Sequence, residues 1–85
     1  MKHSSHPSIT ARLKRAEGHL RSVIAMMADE KPCLEIAQQL YAVEAAIANA
    51  KRELIHDHIE HCLEDGGDVT ARDAIGELKQ LTKYL

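Results

Sequence analysis

Apolar residues recur at steps of three and four along most of this chain. Ile9, Leu13, Ala16, Leu20, Val23, Ile24 and Met27 fall on one side of a helix, and they predict a first helix over about 8–29. Residues 1–7, MKHSSHP, lack that pattern and are expected to form a flexible N-terminal arm. Asp29-Glu30-Lys31-Pro32 breaks the periodicity, and Pro32 suits the first turn of a following helix. A second helix is predicted over about 32–64. Its leading stripe runs Cys33, Ile36, Ala37, Leu40, Val43, Ile47, Ala50, Leu54, His58, Cys62, and a further row holds Tyr41, Ala45, Ala48, Ile55 and Ile59. Two apolar faces on one helix imply two sets of partners. The helix would be roughly 48 Å long, more than the first helix can cover, so its excess is expected to pack on another subunit. Gly66-Gly67 stop it, and a third helix is predicted over about 69–84, with Ala71, Ala74, Ile75, Leu78, Leu81 and Leu85 inward. The pattern is all-α, one domain over 1–85.

Composition sharpens this picture. The 85 residues include no Trp and no Phe, so the core must be Leu, Ile, Val, Ala and Met, mostly good helix formers. So short a chain buries little surface, and oligomerisation or a metal would help it. No apolar run approaches bilayer length and no signal-peptide core is present, so no membrane association is expected. The expected compartment is the cytoplasm, where thiols stay reduced. No nucleotide-binding loop or catalytic triad is legible, and the expectation is that the chain is not an enzyme.

A net charge of −2 argues against coating nucleic acid by bulk charge. The charge is unevenly spread, however. Arg12, Lys14, Arg15 and Arg21 cluster against a single acid, Glu17, and Lys51 and Arg52 sit midway along the second helix. Such a face either binds phosphate or is simply solvated. No helix-turn-helix is evident.

The candidate chemistry lies in two cysteines and six histidines. His58 and Cys62, at i and i+4, share one helix face within reach of one ion. A thiolate with an imidazole suits Cu(I), Ni(II), Co(II) or Zn(II) rather than Mg(II) or Ca(II). The pair alone also fits a buried cysteine beside a solvated histidine. Cys33 lies on the same stripe 25 residues before His58, roughly 37 Å along a straight helix. One chain cannot bring the two together, but two antiparallel helices can. The expected site therefore takes Cys33 from one subunit and His58 with Cys62 from its mate, twice per dimer. Met1-Lys2-His3 offers an amine, two amides and an imidazole, a planar set suited to Ni(II) or Cu(II). The alternative is a loose arm with solvated His3 and His6. His61 is a rival ligand ranked below His58, and His56 reads as solvated. His19 either joins the DNA face or is a surface residue.

These motifs resemble the CsoR/RcnR family of metal- and formaldehyde-sensing transcriptional repressors over nearly the whole chain. The resemblance rests on RLKRAEGHL (12–20), Cys33 heading the second helix, AQQLYAVEAAIANAK (37–51) and HDHIEHC (56–62). It implies a three-helix protomer, an antiparallel four-helix-bundle dimer and a dimer-of-dimers tetramer. It also implies that the metal-free protein holds operator DNA and that Cu(I) or Ni(II) at Cys33, His58 and Cys62 releases it. By the same resemblance Glu77 stands behind the histidine ligand, Arg12 occupies a position linked to operator contact, and His3 or His6 completes the site in nickel and cobalt sensors. One departure is Pro32, where a copper sensor would carry a tyrosine. An alternative within the family is a reactive-electrophile or persulfide sensor using Cys33 and Cys62 as nucleophiles. Formaldehyde sensors pair that cysteine with an N-terminal proline amine, which Met1-Lys2 does not provide, and persulfide sensors do not need His58.

Overall fold

A computed structural model of the chain describes residues 6–64 and 71–85. They form three α-helices, α1 (His6–Ala28), α2 (Cys33–Glu64) and α3 (Ala71–Leu81), followed by a 3₁₀ turn over Thr82–Tyr84. No strand occurs among the described residues. The first helix takes in His6 and Pro7, which the sequence pattern assigns to the arm. Proline is tolerated there because the first turn of a helix has no carbonyl to receive its missing N–H.

The α1–α2 connection is built by its backbone. Lys31 N–H donates to the Met26 carbonyl at 3.0 Å and Glu30 N–H to the Met27 carbonyl at 3.2 Å. That pair of bonds is the Schellman closure of a helix C-terminus. It places Glu30 at φ 55°, in the left-handed region where glycine is the usual occupant. Pro32 caps α2 from outside the helix, its carbonyl accepting from Ile36 N–H at 3.1 Å. The chain therefore reverses within four residues, and α1 lies back along the first part of α2.

Apart from Ile55 near the far end of α2, the buried residues of this hairpin follow a seven-residue spacing. Ile9, Ala16 and Val23 are buried on α1, and Ile36, Val43 and Ala50 on α2. Val23, Ile36 and Val43 form a cluster with Met26 packed against it. A row repeating every seven residues is the seam of a coiled coil, and alanine at two of its positions lets the backbones approach. Asp57 continues the α2 row as its one polar member and is 8% exposed.

Four residues beyond each seam position lies a second apolar row. Leu13, Leu20 and Met27 on α1 and Leu40, Ile47 and Leu54 on α2 are all exposed in the single chain. The stripe that sequence periodicity treats as one face is thus split in two, and only one half is covered. Two positions expected inward, Ile75 on α3 and Leu85 at the end of the chain beyond the 3₁₀ turn, are also exposed, at 53% and 65%. Helix α3 meets only the far end of α2 and has no layer above it to pack into. Ala71 and Ala74 lie outside the described side chains.

The protomer is a plate measuring 55 × 24 × 13 Å, about one helix thick. Its radius of gyration is 17.3 Å, against roughly 12 Å for a compact domain of this length. Among the described residues, no helix is long and apolar enough to cross a membrane.

Candidate metal centre and nucleic-acid groove

The two ends of α2 carry the candidate ligands. Cys33 is its first residue and is exposed. His58 sits in its last two turns with a side chain 22% exposed, and Cys62 follows one turn later on the same helix; the side chain of Cys62 lies outside the described residues. The structure thus keeps Cys33 and His58 at opposite ends of one continuous helix.

His58 is oriented from α3. Glu77 Oε1 stands 3.0 Å from His58 Nε2. The approach has ion-pair distance without the alignment of a ring N–H hydrogen bond. A carboxylate behind an imidazole is the arrangement that orients metal-binding histidines. His61 Nε2 faces Asp57 Oδ1 at 3.9 Å, which turns that ring toward the α1–α2 seam. Among the described residues of one chain, no three His, Cys, Asp or Glu side chains converge as a metal-holding group. His6 is the exposed first residue of α1, and His3 lies outside the described residues.

The basic residues divide. Arg12 and Asn49 stand between two adjoining clefts that together form a groove along α1 and α2: one is lined also by Arg52 and by the acids Glu53, Asp57 and Glu60, the other by Arg15 and His19. Lys14, Arg21 and Lys51 are exposed but do not line it. Arg21 faces Glu17 at 3.8 Å across one helical turn. Within the groove, Arg52 Nη1 donates to Asn49 Oδ1 at 2.8 Å, and Arg12 Nη1 meets Glu53 Oε1 at 2.9 Å. His19 Nε2 lies 2.6 Å from Gln39 Oε1 and ties the two helices at the other end.

The family model described as metal-sensitive transcriptional repressor matches residues 5–84. The chain belongs to this family. It is the CsoR/RcnR family to which the sequence motifs point, and its members are transcriptional regulators rather than enzymes. This member is similar to the copper-sensing transcriptional repressor CsoR of Bacillus subtilis (strain 168), at 40% identity over 78 residues, covering 88% of this chain and 75% of that protein. It is 35% identical over 74 residues to the CsoR of Mycobacterium ulcerans (strain Agy99), covering 86% of this chain but only 63% of the relative. The nickel-responsive transcriptional regulator InrS superposes with a TM-score of 0.84 at 28% identity, over 99% of this chain and 96% of that one.

Asn49, Glu53, Gln39 and Asp57 escaped the sequence reading of this family member. Asp57 had a signal, since it extends the seven-residue row of Ile36, Val43 and Ala50. Glu53 and Asn49 had none, because polar residues on a helix surface do not reveal which cation will face them.

Proposed function

We propose that this chain is a metal-responsive repressor that holds operator DNA when metal-free and releases it when Cu(I) or Ni(II) binds between subunits; Co(II) and Zn(II) are weaker candidates. Cys33 of one chain and His58 with Cys62 of its partner would hold the ion, and Glu77 would steady the imidazole from behind. Bound there, the ion joins the helix ends of two subunits. The observation that carries this reading is the Glu77-held imidazole of His58 at the opposite end of α2 from an exposed Cys33. The relatives span copper-sensing and nickel-responsive proteins, so both metals stay in the proposal.

The site requires a partner, and the surface supports one. The chain exposes 6693 Å², whereas a compact protein of its mass exposes roughly 5,000 Å². The excess exceeds the roughly 800 Å² per partner of a standard interface. A dimer covering the outer rows, joined to a second dimer, accounts for it. Metal binding and DNA binding then oppose each other by linkage through the helix arrangement, with a typical coupling of about 1–3 kcal/mol. Arg12, Lys14, Arg15, Arg21, Lys51 and Arg52 are proposed as the phosphate-facing cations, with the three arginines of the groove foremost. His3 and His6 are proposed as additional ligands where the metal is nickel or cobalt. The cytoplasm is the compartment that suits reduced thiols and DNA.

Complementation tests the shared site. Cys33→Ala and His58→Ala should each lose tight Cu(I) and Ni(II) binding as homo-oligomers. Mixed and reannealed, they should regain about a quarter of the sites, because random pairing makes half of the dimers hybrids and one of the two sites in each hybrid is intact. A mixture that binds no more metal than the separate variants would overturn the intersubunit site. An effector response that survives in His58→Ala but not in Cys33→Ala would turn the reading toward thiol chemistry.

A further inference from the structure

The groove between α1 and α2 is not a bare cationic surface. Its central arginine is already paired: Arg12 Nη1 meets Glu53 Oε1 at 2.9 Å, with side-chain exposures of 45% and 38%. Arg52, one residue before Glu53, binds only the neutral amide of Asn49, and Arg15 flanks the same groove. Glu53 therefore cancels one cation at the centre of this side of the hairpin, in a place a solvent-borne anion can reach.

A guanidinium makes its strongest bonds as a charge-assisted fork to one carboxylate or one phosphate. The Arg12 N–H that meets Glu53 cannot donate to a phosphate at the same time, the fork cannot close on both anions, and the carboxylate charge repels a phosphate brought beside it. The pair is also half-exposed, so its own strength is small and a phosphate can displace it. We propose that Glu53 is an internal competitor for the DNA phosphate that Arg12 binds, an acidic brake that lowers the DNA affinity and the salt sensitivity of the metal-free repressor. This rests on the repressor reading above. The brake is local, because it acts through one guanidinium, and that separates it from the general effect of a negative charge near DNA.

The test uses the full-length metal-free protein and labelled 40-base-pair duplexes that the wild type has selected from a random pool. Affinity is measured across a salt series. Glu53→Gln should bind about two- to fivefold tighter near 0.1 M salt, the size of an exposed ion pair. The slope of log affinity against log salt should steepen by about 0.9 for each protomer whose Arg12 reaches the duplex. Arg12→Ala should weaken binding and flatten the slope. In the Arg12→Ala background, Glu53→Gln should change neither quantity. Glu53→Ala, which also removes the carboxylate, should repeat the gain, with helix content checked by circular dichroism. Unchanged or weaker binding by folded Glu53→Gln and Glu53→Ala overturns the brake. So does an equal gain in the Arg12→Ala background, which would mark a general charge effect. If the wild type selects no duplex at all, the repressor reading itself fails and the brake with it.

Discussion

The two apolar rows of the α1–α2 hairpin use the same kinds of residue at the same spacing, yet meet opposite fates. Ile9, Ala16 and Val23 face Ile36, Val43 and Ala50 and are buried, Val23 to 2% exposure. Leu13, Leu20 and Met27, with Leu40, Ile47 and Leu54, stand four positions further on and remain 38–61% exposed. The difference lies in size as well as position. The inner row mixes Ile with Val and Ala, and its smaller members let two helices of one chain close tightly. The outer row carries Leu, Ile and Met, the larger side chains that fill the wider centre of a four-helix arrangement. Within one chain, folding completes only the first seam; the second stays exposed, and it is the face that the proposed dimer would cover.

Breaking the inner seam should have the largest effect. Ile36→Ala removes a member of the buried cluster and should cost about 2–5 kcal/mol, read from urea denaturation. An equal cost from Leu40→Ala measured at protein concentrations too low for association would erase the distinction between the rows. Next comes the outer row. Ile47 is 45% exposed in the single chain; Ile47→Ala should weaken the assembly by about 2 kcal/mol per chain, visible as dissociation in sedimentation velocity, with helix content of the residual oligomer unchanged. A smaller and opposite effect is expected at the hairpin turn. Glu30 pays for its left-handed φ of 55°, so Glu30→Gly should raise the unfolding free energy by up to about 1 kcal/mol, read from urea denaturation, without shifting the association constant. The smallest effect belongs to the solvent side. Glu17 is 65% exposed and only 3.8 Å from Arg21; Glu17→Ala should change stability by less than about 0.5 kcal/mol in the same denaturation assay.

The sites divide in the same way as the rows. The pairing of the candidate ligands is legible because i and i+4 on a helix fixes His58 and Cys62 to one face whatever surrounds them. The distance from Cys33 to His58 followed from helix rise alone. The family resemblance implies a carboxylate at Glu77 behind His58; α3 sets the half-exposed Glu77 3.0 Å from Nε2 of that ring. By contrast, the basic cluster looked uniform along the chain. Folding separates Arg12, Arg15 and Arg52, which line a groove, from Lys14, Arg21 and Lys51, which do not. It also sets Glu53 against Arg12.

What the sequence determined by itself was periodic or local: three helices, the breaks between them, the spacing of the two apolar rows, and a ligand set too far apart for one straight helix to unite. These follow from steps along a single backbone, which every residue shares. The tertiary structure decided which row turns inward, which cation meets which carboxylate, and which histidine nitrogen faces α3. Those outcomes depend on the rotation and register of one helix against another, set here by a four-residue turn with a left-handed Glu30. A rotation of a fraction of a turn would exchange one row for the other, while leaving every helix and every spacing in the sequence unchanged.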